Sequence, residues 1–140
     1  TTALDVTVQA QILSLLKNLT KGSGSSLILI THDLGVVARY ADKVAVMYGG
    51  RIIKAASARD LYKNPQHPYT KGLMASIPKL DGDPGSRLFT IEGQPPDLSN
   101  LPTGCAFHPR CPHAHEACRE GKPLLSNVTP THKRACFGYE

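Results

Sequence analysis

Apolar residues at Val8, Ile12, Leu15, Leu16 and Leu19 recur at steps of three and four through "VTVQAQILSLLKNL", which lays one stripe along a helix. Gly22 and Gly24 in "TKGSGS" predict the end of that helix. "SLILI" is short and almost wholly apolar, the pattern of a strand covered on both faces in a parallel sheet. "THDLGVVARYA" reads as a turn followed by a second helix, and "KVAVMYGGRIIKAA" as two apolar runs about Gly49-Gly50, a pair suited to a tight hairpin turn. The first half is therefore α/β in character. From about Ser57 the texture changes. "SARDLYKN" predicts a short helix stopped by Pro65, "PYTKGLMASI" another stopped by Pro78, "KLDGDPGS" a linker and "RLFTIEG" a strand. Beyond "QPPDLSNLPTG" there is little periodicity and too few large apolar residues for a separate core. Such a tail needs a cross-link or a metal to hold a shape.

Length and charge narrow the classes. The 140 residues are 41% hydrophobic, normal for one globular domain or a small domain with an appendage. The formal charge of +5 is spread from Lys17 to Arg134 with no basic run, which argues against a nucleic-acid partner. No apolar stretch approaches the ~20 residues that span a bilayer. The opening "TTALDVTVQA" is neither basic nor apolar enough for a secretory signal. A cytosolic setting follows, where clustered cysteines more often bind metal than pair as disulfides.

Two stretches in order, "TTALD" and "LILITHDLGVVARYADKVAVMYGGRI", resemble the second half of the nucleotide-binding subunit of an ABC transporter, a P-loop NTPase fold. The resemblance implies that Asp5 takes the D-loop position, crossing a dimer interface toward the partner's nucleotide. It implies that His32 is the switch histidine, hydrogen-bonding the γ-phosphate and helping to position the attacking water, as phosphoryl transfer requires. An Asp at such a place also caps helices, so Asp5 has a second, purely structural use. The chain lacks a G-x-x-x-x-G-K-[ST] loop, the signature motif and the Walker B carboxylates. It therefore reads as the carboxy-terminal portion of a longer subunit, without ATP hydrolysis of its own. Lys54, where relatives often carry an acidic residue, is expected to matter little.

"NPQHPYTKGLMASIP" resembles the helical extension of ATP-binding subunits of oligopeptide and dipeptide importers, and "GCAFHPRC", a third cysteine and "HKRAC" resemble their carboxy-terminal region. His67 of "HPYT" is expected on the surface with no chemistry. The implied organisation is residues 1–56 as the carboxy-terminal part of the nucleotide-binding domain, 57–85 as helical extension and linker, and 86–140 as a small irregular, metal-bound module. The implied setting is the inner face of the cell membrane. The implied partners are a second, homologous or identical ATPase subunit and the membrane-spanning permease subunits, with membrane contact only through the permease and ATP and Mg²⁺ bound only in the intact subunit.

The cysteines run C-x5-C-x6-C-x17-C at Cys105, Cys111, Cys118 and Cys136. Four thiolates can each ligate one iron of a cubane cluster, and some members of the resembled subfamily are associated with a [4Fe-4S] cluster. Zinc has its own case: Cys105 with His108, and His115 with Cys118, each stand two residues apart, as in sites of two cysteines and two histidines. The functional expectation is part of an ATPase subunit that powers peptide import. The alternative is a non-catalytic iron–sulfur or zinc module with a regulatory or structural role.

Overall fold

A computed structural model describes residues 5–78 and 89–138. Thr1 to Leu4 of the D-loop stretch, the expected linker and the first two residues of the expected strand at 87–93 lie outside the described residues. The chain divides into two compact units, Thr1–Ala41 and Asp42–Glu140.

In the first unit, α1 (Val6–Ser23) starts at Asp5, whose carboxylate accepts the Thr7 N–H at 2.8 Å. Gly22 lies inside the helix, which ends instead at Gly24. Helix α2 (Leu34–Tyr40) is capped by Asp33, which accepts the N–H groups of Gly35 and Val36. The two helices meet along Ala10, Leu13 and Lys17: Tyr40 donates its hydroxyl to the Ala10 carbonyl, Lys17 lies over the Tyr40 ring, and Leu13 is buried. That stripe is not the expected one, and Leu15 and Leu19 remain exposed. The expected strand at 27–30 does not form. Ile28 and Ile30 are about nine-tenths exposed, and no strand of this unit stands beside them among the described residues to complete a ladder.

The second unit is built on one antiparallel sheet in the order β1-β2-β4-β3, with β1 Lys43–Tyr48, β2 Arg51–Ser57, β3 Ser126–Thr129 and β4 His132–Arg134. Gly49 and Gly50, both at positive φ, join β1 to β2 in a two-residue turn of the kind whose twist suits a hairpin. The pairing slips between Val46 and Met47, so Val46 faces Lys54 while Met47 faces Ile52. This bulge breaks the alternation of β2 and turns Ile53 and Lys54 inward together. Lys54 is consequently fully buried.

Helix α3 (Ala58–Lys63) starts on the Ser57 hydroxyl and ends before Pro65, and α4 (Pro68–Ala75) starts on His67. The expected strand around Phe89–Glu92 is absent among the described residues. The Ile91 and Glu92 carbonyls, which a neighbouring strand would take, instead accept from the Arg110 guanidinium at 3.0 and 2.8 Å. A third Arg110 nitrogen donates to the Tyr48 hydroxyl at 3.2 Å. The tail supplies Phe107 to a core that β1, β2 and α4 furnish: Phe107 packs edge-on against Tyr48 and beside Tyr69 and His67. The apolar-poor tail thus borrows a core from the hairpin.

Phe107→Ala should cost about 3–5 kcal/mol of the second unit's stability, because it empties the centre of this cluster. Urea unfolding followed by tyrosine fluorescence would read the loss, and an unchanged midpoint would contradict this packing.

Candidate cysteine centre

All four cysteines are free thiols, each carried by a different local structure. Cys105 sits in a turn whose carbonyl accepts the His108 N–H, and Cys111 ends the short 3₁₀ turn His108–Arg110. Cys118 is buried on α5 (Glu116–Glu120), and Cys136 stands two residues beyond the end of β4 (His132–Arg134). The Cys105 N–H donates to the Cys118 carbonyl at 2.9 Å, fastening the turn to α5. Gly104 makes this approach possible: it has φ +71°, and a Cβ there would run into the carbonyl oxygens of Cys118 and Arg119.

The thiols share one electrostatic neighbourhood. Burial pushes the Cys105 thiol above its ordinary value, the Phe107 N–H pulls it back, and Cys118 and Cys136 push it up again. Burial likewise raises Cys111, against the His113 N–H and with Cys136, Cys118 and Cys105 adding to the rise. Five of the pairwise couplings among four cysteines are therefore present, and together they link all four. A cleft of about 690 Å³ between α4, residues 89–93 and this loop has Cys111 in its wall.

Among the described residues, no three His, Cys, Asp or Glu side chains form a group able to hold one metal ion. The set Cys105, His108, His115 and Cys118 is included in that statement. The His108 Nδ1 lies 3.0 Å from the Cys105 carbonyl, and the His115 side chain stands exposed where α5 begins while Cys118 is buried. Of the residues expected at a nucleotide, Asp5 caps α1, and His32 is exposed just ahead of the cap of α2.

Beside the cysteines lies a buried basic cluster. Lys54 donates to the Asn64 carbonyl at the end of α3 at 3.1 Å, and burial lowers its pKa to about 8 against the pull of Asp60. Lys54 is sealed from solvent without being deep in the molecule. His67, expected on the surface, is 1% exposed. Its Nδ1 accepts the Tyr69 N–H at 3.1 Å. Burial first and Lys54 second lower its pKa to about 4. Nδ1 is an acceptor, so the neutral ring carries its proton on Nε2. The Ala135 N–H donates to the Ile53 carbonyl at 2.8 Å. His132 is also buried, with its pKa lowered by burial and by Lys54. Only the bulge and the tail's return to β2 bring these groups together, and neither has a local signal in the sequence.

Residues 55–118 match the family described as the oligopeptide/dipeptide transporter, C-terminal region. Over 137 residues the chain is 53% identical to the oligopeptide transport ATP-binding protein OppD of Salmonella typhimurium, covering 98% of this chain and 40% of that protein. It is 49% identical over 140 residues to the protein of the same name from Mycobacterium tuberculosis, covering 100% of this chain and 23% of that protein. It is 48% identical over 146 residues to a peptide import ATP-binding protein of Brucella ovis, covering 100% of this chain and 43% of that protein. The chain thus spans less than half the length of these relatives. No helix among the described residues is long and apolar enough to cross a membrane.

The buried histidine sets a pH dependence. Below an unfolded value of 6.5 the unfolded chain takes up a proton that folded His67 refuses until about pH 4, so stability falls as pH drops through this window. The loss from His67 reaches about 3 kcal/mol at most, and it should show as a falling melting temperature between pH 6.5 and 4 that His67→Asn flattens. A melting temperature constant over that range in the unsubstituted protein would contradict the buried, neutral ring.

Proposed function

We propose that this chain forms part of an ATPase subunit powering peptide uptake, because residues 55–118 match the oligopeptide/dipeptide transporter C-terminal region family and the chain aligns end to end with ATP-binding proteins of peptide import. The observation that carries this reading is the identity of about half of all positions along the whole chain. ATP and Mg²⁺ would be held mainly by residues outside this sequence, which has no phosphate-cradling loop. His32 would hydrogen-bond the γ-phosphate and orient the attacking water, and Asp5 would reach across to the nucleotide of a second ATPase subunit. Its exposure leaves His32 free for such a contact. Permease subunits would be the membrane partners, which places this chain peripherally on the cytoplasmic face.

For the cysteines the proposal is a [4Fe-4S] cluster held by Cys105, Cys111, Cys118 and Cys136. A single ion needs ligands that meet at one point, and among the described residues no three His, Cys, Asp or Glu side chains do. A cubane takes one thiolate per iron, so its ligands ring the cluster instead. Four free thiols suit that donor set in kind and number. When bound, the cluster would supply a covalent cross-link among four segments of the tail. The N–H groups of Phe107 and His108 toward Cys105, and of His113 toward Cys111, would stabilise the thiolate form of those ligands.

Two measurements test these readings. In a subunit carrying this chain behind a Walker A and Walker B half, His32→Ala should lower ATP turnover about 100-fold, the scale of losing one charge-stabilising group. The 140-residue chain alone should turn over none, and turnover by that chain or full turnover by the variant would overturn the assignment. Anaerobic purification should yield a brown protein with about four irons and four sulfides per chain. A colourless protein with one zinc would replace the cluster.

A further inference from the structure

We infer that Cys105 and Cys118 form a reversible disulfide when the cysteine centre holds no metal, with Cys105 meeting a peroxide oxidant and Cys118 resolving the product. The inference deepens the reading of the four cysteines as one centre, and rests on it only for which thiols a cluster would occupy. Its test uses the metal-free chain, so it can fail separately from the cluster itself.

A main-chain link sets this pair apart. The Cys105 N–H donates to the Cys118 carbonyl at 2.9 Å, and among the described residues no such bond joins any other two cysteines. Residues joined this way have Cα atoms about 5–6 Å apart, and a disulfide asks for about 4.4–6.8 Å. Gly104 permits the approach, because the Cβ it lacks would meet the carbonyl oxygens of Cys118 and Arg119. Each partner is also held within its own segment. The Cys105 carbonyl accepts the His108 N–H at 3.0 Å, and the Cys118 N–H donates to the His115 carbonyl at 3.0 Å. Cys118 is the one buried residue of α5, so its thiol points into the tail rather than to solvent. Cys111 opens instead into the cleft beside α4, whose walls include neither Cys105 nor Cys118.

Loop length alone favours different pairs. Five residues separate Cys105 from Cys111 and six separate Cys111 from Cys118, against twelve between Cys105 and Cys118. A chain without structure closes the shorter loops more readily. The pairing therefore reports the fold.

Exposure assigns the roles. Cys105 is half-buried while Cys118 is 7% exposed, so a peroxide reaches Cys105 first. The Cys105 thiolate attacks one peroxide oxygen: an S–O bond forms, the O–O bond breaks, and the departing hydroxide takes a proton to become water. The Cys118 thiolate then attacks the Cys105 sulfur: the S–S bond forms, the S–O bond breaks, and hydroxide leaves as a second water. The two sulfurs together give up two electrons, and the peroxide accepts them. While the bond lasts, two of the four proposed ligands are withheld from iron.

The test treats the chelator-stripped chain with hydrogen peroxide, traps remaining thiols with N-ethylmaleimide and maps the pairs by mass spectrometry without reduction. Cleavage after Arg110 and Glu116 puts Cys105, Cys111 and Cys118 on separate peptides. The Cys105–Cys118 disulfide should exceed the two short-loop products by about tenfold or more, because groups held close react at a high effective concentration. Dithiothreitol should return it to free thiols. In urea the short-loop products should lead instead. Cys111→Ser should keep the bond. Gly104→Ala, which pushes the Cys118 carbonyl away, should slow its formation at least about tenfold. The inference is overturned by the same product mixture in buffer and in urea, by no disulfide, or by a predominant disulfide that uses Cys111 or Cys136. A rate in G104A within about twofold of the unsubstituted chain also overturns it. Iron and sulfide content of the anaerobically purified protein tests the cluster independently of these outcomes.

Discussion

Two rungs of ladder, Lys54 with Arg134 and Ala55 with Lys133, fasten the cysteine-bearing tail to the hairpin. The Ala135 N–H adds one more hydrogen bond to β2 through the Ile53 carbonyl. Because of this seam the tail needs no core of its own. It places Phe107 among Tyr48, Ile53 and Tyr69, and it brings Cys136 into the electrostatic reach of Cys105 and Cys111. Arg110 reinforces the join from the opposite side, tying the cysteine loop to Tyr48 and to the carbonyls of residues 91 and 92.

The same seam explains the charge buried in the unit. The β2 bulge turns Lys54 inward, and its ammonium is met by the carbonyl end of α3, where the partial negative charge of a helix terminus is favourable. Around it lie Asp60, His67 and His132. Both histidines respond by losing affinity for protons, as expected where desolvation and a nearby cation act together. The "HPYT" motif gains a physical meaning from this setting: His67 caps α4, Pro68 opens it, and Tyr69 joins the aromatic cluster.

Local elements were legible in the sequence wherever local forces decide them. Gly49-Gly50 marks its hairpin through backbone freedom, and Asp33, Ser57 and the prolines mark the short helices through capping and steric exclusion. The four cysteines stand out in the sequence by their clustering, while what they hold is a proposal. What could not be read depends on residues far apart. "RLFTIEG" has a strand's composition, yet a guanidinium takes two of its carbonyls. "LILI" has a buried strand's composition, but a ladder needs neighbours and its own unit offers none among the described residues. Lys54 and His67 look like surface residues until the bulge and the returning β4 enclose them, and strict alternation along β2 hides the inward turn.

The separation of β2 from β4 along the chain also sets an order in time. The hairpin of β1 and β2 pairs neighbours, and so does that of β3 and β4, but joining the two closes a loop that includes nearly all of the second unit. Closure of that kind follows local pairing, and a chain emerging from synthesis completes its amino-terminal elements first. Lys54 therefore remains hydrated, and Cys105, Cys111 and Cys118 lack Cys136, until β4 has emerged and returned to β2. The four thiols can therefore come together only after that closure, whatever order the other elements form in.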